Sequence, residues 1–184
     1  MKADKYVRLG KLTAIISFLL GTAILGLYCL TFSLVFPTIG CLFIDFVGLI
    51  NVGILIALVI KATKDSDNKR KLYKTCGFML LNIPVMLFYC WIGSVLLDTM
   101  RITFINSTQT ELTDIKIIAC EPKHIDKLKL GQSKTVWIHI TCDCSINIEY
   151  ILNGQRKEEN LGYASSGMGC KMKYNIGGQN EEKL

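Results

Sequence analysis

LTAIISFLLGTAILGLYCLTFSLVF, residues 12–36, is a run of 25 residues without a charge. Two further apolar runs follow, Thr38–Ile60 and Cys76–Leu97. Each exceeds the roughly 20 apolar residues that cross a hydrocarbon core of about 30 Å, at about 1.5 Å per helical residue. The spacing predicts three transmembrane helices, 12–36, 38–60 and 76–97, in the first half of a 184-residue chain. The first run is too long for the apolar core of a signal peptide, and no small-residue cleavage site with a polar start follows it, so it reads as a retained helix.

The charges set a direction. A basic tail, 1–11, carries Lys2, Lys5, Arg8 and Lys11, and the loop 61–75 carries Lys61, Lys64, Lys69, Arg70, Lys71 and Lys74. The connection around Pro37 has no basic residue. Lys and Arg mark the cytoplasmic side. Three crossings put both basic segments there and everything after residue 97 outside. The expected location is the plasma (inner) membrane, multi-pass, with a cytoplasmic N-terminus and an extracytoplasmic C-terminal domain. The loop 61–75 reads as a stop-transfer segment; a short interfacial helix touching anionic headgroups is the competing reading. Residues 1–97 hold ten Lys/Arg against four Asp/Glu, and residues 98–184 hold eleven of each, so the net charge of +6 belongs to the membrane half. That distribution argues against nucleic acid as a partner.

Within the spans Asp45 is the one ionisable residue, and such residues are functional candidates because charge at depth is costly. Asn51 and Asn82 lie at similar depths on helices two and three, where their amides could bond each other. Pro84 is expected to kink the third helix. The pairs Ser17/Gly21 and Gly53/Ala57 permit close helix contact.

From residue 101 the period changes to alternation. The pattern predicts strands over Arg101–Asn106, Leu112–Cys120, Lys134–Thr141, Ser145–Leu152, Gln155–Asn160 and Cys170–Ile176. Asn153-Gly154 is a hairpin turn, because both positions tolerate positive φ. Gly162–Gly169 reads as a turn-rich connection and Gly177–Leu184 as a mobile tail. The expected fold class is thus membrane α plus all-β, with a small antiparallel β-sandwich over 101–176. IDKLKLGQSKTVWIHI and NSTQTELTDIKI resemble the strand pairs of bacterial immunoglobulin-like domains. The resemblance implies an immunoglobulin-like sandwich and transfers no catalytic residue; the Cys…Trp…Cys spacing of antibody domains is absent.

Four cysteines fall in this domain: Cys120, Cys142, Cys144 and Cys170. Outside the cytoplasm disulfides are the default, and four cysteines allow three pairings. One residue separates Cys142 from Cys144, which disfavours their pairing. Of the rest, Cys120–Cys144 with Cys142–Cys170 is preferred. A metal set built from these cysteines with His124 and His139 is the weaker alternative, because its spacing fits no familiar zinc motif. Cys29, Cys41, Cys76 and Cys90 read as small apolar residues of the spans. Asn106-Ser107-Thr108 fits the glycosylation acceptor pattern.

No acid–base pair, nucleophile motif or phosphate loop stands out, so the chain is expected to be no enzyme and to use no cofactor or metal. The first functional expectation is an envelope protein that displays its sandwich for protein–protein interaction, as a docking module, accessory subunit or toxin-immunity protein. Its partners would be the lipid bilayer and another envelope or membrane protein, or itself. The second is an oligomeric transport or sensing component using Asp45, Asn51 and Asn82.

Overall fold

The computed structural model describes residues 3–180. Four helices, α1 (Ala3–Thr31), α2 (Val35–Lys64), α3 (Lys69–Leu80) and α4 (Asn82–Leu97), precede seven strands. Contacts divide the chain into two units after Gly93. Taking α3 and α4 as one rod, three helices are long and apolar enough to cross a membrane.

The helices differ from the sequence expectation at their ends. The basic N-terminal segment is helical from Ala3 and forms the start of α1, where Ala3, Val7, Gly10 and Ala14 are buried and Lys5, Arg8 and Lys11 are exposed. Small residues at this spacing allow close approach. A Cβ on Gly10 would lie 2.9 Å from both Leu58 Cδ1 and Thr75 Cγ2. The turn between α1 and α2 falls at Phe32–Leu34, ahead of Pro37. Phe32 closes α1 with φ of 56°, donating its N–H to the Tyr28 carbonyl at 2.8 Å. Pro37 sits in the first turn of α2, where its missing N–H has no intrahelical partner to lose.

The basic loop is also mostly helix, leaving only 65–68 between α2 and α3. Leu72, Thr75, Cys76 and Met79 are buried at helical spacing against α1 and α2, and this face draws the segment into a helix. The rod breaks at Leu81, four residues after Gly77 and three before Pro84. Pro84 offers no N–H to the Leu80 carbonyl and its ring crowds that group. Gly53 has no atom within 4 Å of a Cβ position, so the Gly53/Ala57 pair makes no close helix contact here, whereas Gly21 lies against Tyr89 and Phe43.

The second unit is a two-sheet β-domain. Its strands are β1 (Thr99–Asn106), β2 (Leu112–Ile118), β3 (Lys123–Leu128), β4 (Ser133–His139), β5 (Cys144–Leu152), β6 (Gln155–Ala164) and β7 (Lys171–Ile176). They form sheets of order β4-β1-β7 and β3-β2-β5-β6. Alternate residues of both, Ile102, Phe104, Ile115, Ile138, Ile148 and Leu161 among them, share one buried core. Full burial of such side chains is worth about 1.5–3 kcal/mol each.

Three features depart from the expected sandwich. β3 was absent from the sequence pattern because only Ile125 and Leu128 of its six residues face inward. β6 runs on to Ala164, with a register shift opposite Ile146/Asn147 that Gly162 accommodates at φ of 134°. And β1 pairs with β7 in parallel, so the domain is not purely antiparallel. The strand order differs from the ABED/CFG order of an antibody constant domain. The Asn153-Gly154 turn joins β5 and β6 with both residues at positive φ. Of the expected tail 177–184, Asn180 bonds the Asn175 backbone through the oxygen and the nitrogen of its side-chain amide; residues 181–184 lie outside the described residues.

Candidate functional site

The three polar residues of the spans do not converge. Asn51 donates to Ser17 Oγ on α1 at 3.0 Å and to the Val47 carbonyl at 2.8 Å. Asn82 donates to the Ala14 carbonyl, also on α1, at 3.0 Å. The two amides therefore bind α1 about a turn apart instead of bonding each other. Asp45 is exposed on the outer surface of α2 beside Phe46, Leu42 and Leu49. Six residues separate it from Asn51, which rotates it about 120° round the helix at about 100° per residue. Within a single chain the three residues therefore do not share one face. The small-residue pair Ser17/Gly21 instead marks where α1 meets Asn51 and Tyr89, whose hydroxyl lies 2.6 Å from Thr22 Oγ1.

In the β-domain Cys120 and Cys144 form a disulfide, with Cα atoms 5.6 Å apart and a sequence separation of 24. It ties the end of β2 to the start of β5. Cys142 and Cys170 are not joined to each other: Cys142 is exposed and Cys170 packs half-buried against the core. The preferred second bridge is therefore not formed. Cys142 lies outside β5 on the Thr141–Asp143 connection, while Cys170 leads into β7 on the other sheet.

The histidines turn elsewhere. His124 Nε2 lies 2.9 Å from Asp114 Oδ1 and its Nδ1 lies 3.3 Å from Asp126 Oδ1. Lys116 completes the cluster on Asp114, whose φ of 49° marks the bulge in β2. The His124 ring and Lys116 hold the Asp114 carboxyl below its ordinary pKa. His139 is exposed, and its backbone N–H donates to Glu121 Oε2 at 3.1 Å. On the first turns of α3, Lys69, Arg70, Tyr73 and Lys74 line a shallow open depression, with Lys69 Nζ 5.9 Å above the Tyr73 ring.

Three features escaped the pattern reading. The first is the junction between α4 and β1. Asp98 is the single residue between them, and its carboxylate accepts from Ser166 Oγ and the Gly167 N–H, both at 2.9 Å. Its own carbonyl accepts from Ile140, and Gly169 donates to the Leu97 carbonyl at 2.6 Å. The loop 165–170 thus clasps the root of the helix. The bonds from Ser166 and then Gly167 hold the Asp98 carboxyl below its ordinary pKa. A lowered folded pKa stabilises above the unfolded value and loses that contribution as pH falls through the folded one. Asp98→Asn is therefore expected to cost about 1 kcal/mol at neutral pH, with the gap to wild type closing below about pH 4. Calorimetric melts of the two proteins in detergent across that range measure it.

The second is Asn106. The sequence marks it as a glycosylation acceptor, yet its side chain is buried. Its Nδ2 donates to the Thr110 and Leu128 carbonyls, each at 2.8 Å, and its Oδ1 accepts from Thr108. The amide that a glycan would need is fully committed to the fold.

The third is Glu159 on edge strand β6. It accepts from Tyr150 OH at 2.5 Å and from Tyr174 OH at 2.6 Å. Tyr174 lies on β7 in the opposite sheet, so the carboxylate bolts the two sheets together at their open side. Burial first, then the hydrogen bond to Glu159 and its charge, push both phenols well above their ordinary pKa. An inward charge on an edge strand also discourages pairing with another chain.

No known protein-family model matches the chain, and no curated protein or solved structure compared with it matches significantly.

Proposed function

We propose that the chain is a multi-pass protein of the plasma (inner) membrane whose helices display an extracytoplasmic, immunoglobulin-like β-sandwich for protein–protein interaction in the cell envelope. The observation that carries this is the junction: one residue, Asp98, separates helix from strand, and the loop 165–170 is bonded to both sides of it. With one residue between helix and strand, the β-domain follows the last apolar helix directly, without a linker segment.

Supporting features agree with the direction. The helices turn large apolar residues outward, including Leu30, Leu42, Phe46, Leu49 and Trp91, and hydrocarbon is the solvent that satisfies them. Lys61, Lys64, Lys69, Arg70, Lys71 and Lys74 gather at the α2–α3 turn, which the positive-inside rule assigns to the cytoplasm. A disulfide suits an oxidising compartment. The immunoglobulin-like assignment rests on the paired sheets over one core, an architecture shared by domains of differing strand order. Docking, an accessory-subunit role and toxin immunity are the uses this arrangement fits.

The test has two parts. Cys142, the exposed thiol of the domain, is expected to react with a membrane-impermeant maleimide in intact cells; protection until the cells are opened overturns the orientation. Photo-crosslinking residues at Leu130 and Tyr163, both well exposed, are expected to capture a discrete protein species in the envelope. No adduct from either position overturns the display role.

One observation favours the alternative, an oligomeric transport or sensing component. Asp45 faces out of the helix group and so suits contact between copies better than a path within one.

A further inference from the structure

The outer face of sheet β4-β1-β7 is cationic and aromatic. The register sets Lys171, Arg101 and Trp137 side by side in one row, and Lys173, Thr103 and Thr135 in the next. The inward neighbours Met100, Ile102 and Met172 are buried, so alternation turns these rows outward. Arg101 Cζ lies 5.4 Å from the centre of the Trp137 ring, which is 47% exposed. Lys171 and Lys173 are exposed. Among the described residues none of the three cations is in an ion pair, and no strand residue of the face is acidic; the Glu121 carboxylate stands at its β4 edge, on the His139 N–H. The β-domain is neutral overall by sequence, so this face is a segregated positive charge.

The row sits beside the helix root. Arg101 follows Leu97 by four residues and donates to the Cys170 carbonyl, while Gly169 is bonded directly to Leu97. Four residues of strand span at most about 13 Å, and the headgroup layer extends roughly 5–8 Å beyond the hydrocarbon. Long Arg and Lys side chains cover the difference. The loop also offers Met168, 59% exposed. Tryptophan beside Arg and Lys is the composition that settles at a membrane interface.

We infer that this sheet face docks on the anionic headgroups of the bilayer that holds the helices, with the Lys171–Arg101–Trp137 row as the contact and Lys173 behind it. The inference rests on α4 spanning that bilayer. It assigns the domain two sides: one face committed to lipid, the opposite sheet left for a protein partner.

The chain has two tryptophans, which separates the docking from the insertion. The full chain is reconstituted in vesicles of phosphatidylcholine alone or mixed with phosphatidylglycerol, each carrying lipid brominated near the headgroup end of its chains. With Trp91→Phe the signal comes from Trp137. It is expected to be quenched in phosphatidylglycerol vesicles, much less in phosphatidylcholine, and to recover in high salt. Lys171→Gln should cut the docked-to-undocked ratio about fivefold, the factor for one cation near an anionic surface, and Lys173→Gln should cut it less. With Trp137→Phe the signal comes from Trp91 on α4, which should be quenched in both lipids. Quenching of Trp91 without any of Trp137 overturns the docking and leaves the membrane reading standing; a cationic face kept for an acidic protein gives that result. Absence of Trp91 quenching overturns the membrane reading itself. Quenching of Trp137 indifferent to lipid charge, salt and Lys171 also overturns the docking.

Discussion

Gly169→Ala is expected to destabilise the β-domain by about 3 kcal/mol or more, at the upper end for overpacking. A Cβ at this position would stand 2.3 Å from the Leu96 carbonyl oxygen and 2.6 Å from those of Leu97 and Thr99. All three obstacles are backbone, and they belong to the last helical turn and the start of β1. No rotamer relieves the clash; either the loop 165–170 or the helix root must move, and the Gly169–Leu97 bond goes with it. For a domain of this size the loss is roughly 15 °C or more in Tm. Gly167→Ala is the control. It has φ of +78° with nothing within 4 Å of a Cβ, so it carries backbone strain alone, about 1–2 kcal/mol. Thermal melts of the three proteins in detergent, followed by near-UV circular dichroism, measure the difference. Equal losses from the two variants would show that close approach at the junction is not what Gly169 provides.

Asn106→Ala should be nearly as damaging, at about 3 kcal/mol. The buried Leu128 carbonyl would lose its Asn106 donor, at about 1–3 kcal/mol for an unpaired buried group, while the Thr110 carbonyl would keep only the Thr108 hydroxyl at 2.9 Å. The Thr108 N–H and hydroxyl would lose an acceptor as well. Asn106→Asp keeps that acceptor but replaces two donated bonds with a buried charge facing carbonyl oxygens, so it should be no milder than alanine near neutral pH. Denaturant titration gives both values. In a glycosylating host the wild-type chain should show no mass increment at this site. A stable Asn106→Ala protein would mean that solvent or a shift of the 107–110 turn replaces the amide.

How far the fold was legible depended on the length scale of the signal. The three apolar runs were plain, because a helix that crosses hydrocarbon must be apolar on every side and no other element needs such a run. Their ends were not. Pro37 looked like the turn, but proline is tolerated in a first helical turn, so the break moved to Phe32–Leu34. The basic residues of 61–75 looked like a loop because their charges hid the spacing of Leu72, Thr75, Cys76 and Met79.

In the β-domain the central strands announced themselves through alternation of Ile and Val. Edge strand β3 did not, since one of its sides faces solvent and Lys123, His124, Asp126 and Lys127 crowd out the pattern. The candidate site was less legible still. Asp98, Gly169, Asn106 and Glu159 matter through partners far away in sequence, Asp98 and Ser166 being 68 residues apart. Glu159 in particular sits in a run of charges, QRKEEN, where nothing local distinguishes the one that turns inward. The Asn106 motif was legible and misleading: three residues cannot reveal that the amide is buried.

The parallel pairing of β1 with β7 has a consequence in time. β1 is the first strand made after the helices, yet its neighbours in the sheet are β4, which begins at Ser133, and β7, which ends at Ile176. While the chain is being synthesised, Met100, Ile102 and Phe104 therefore wait with their inner faces uncovered. The domain is completed by its latest strand, as an arch is by its keystone, and until that strand is delivered the half-built sheet is the form of this protein most in need of a chaperone.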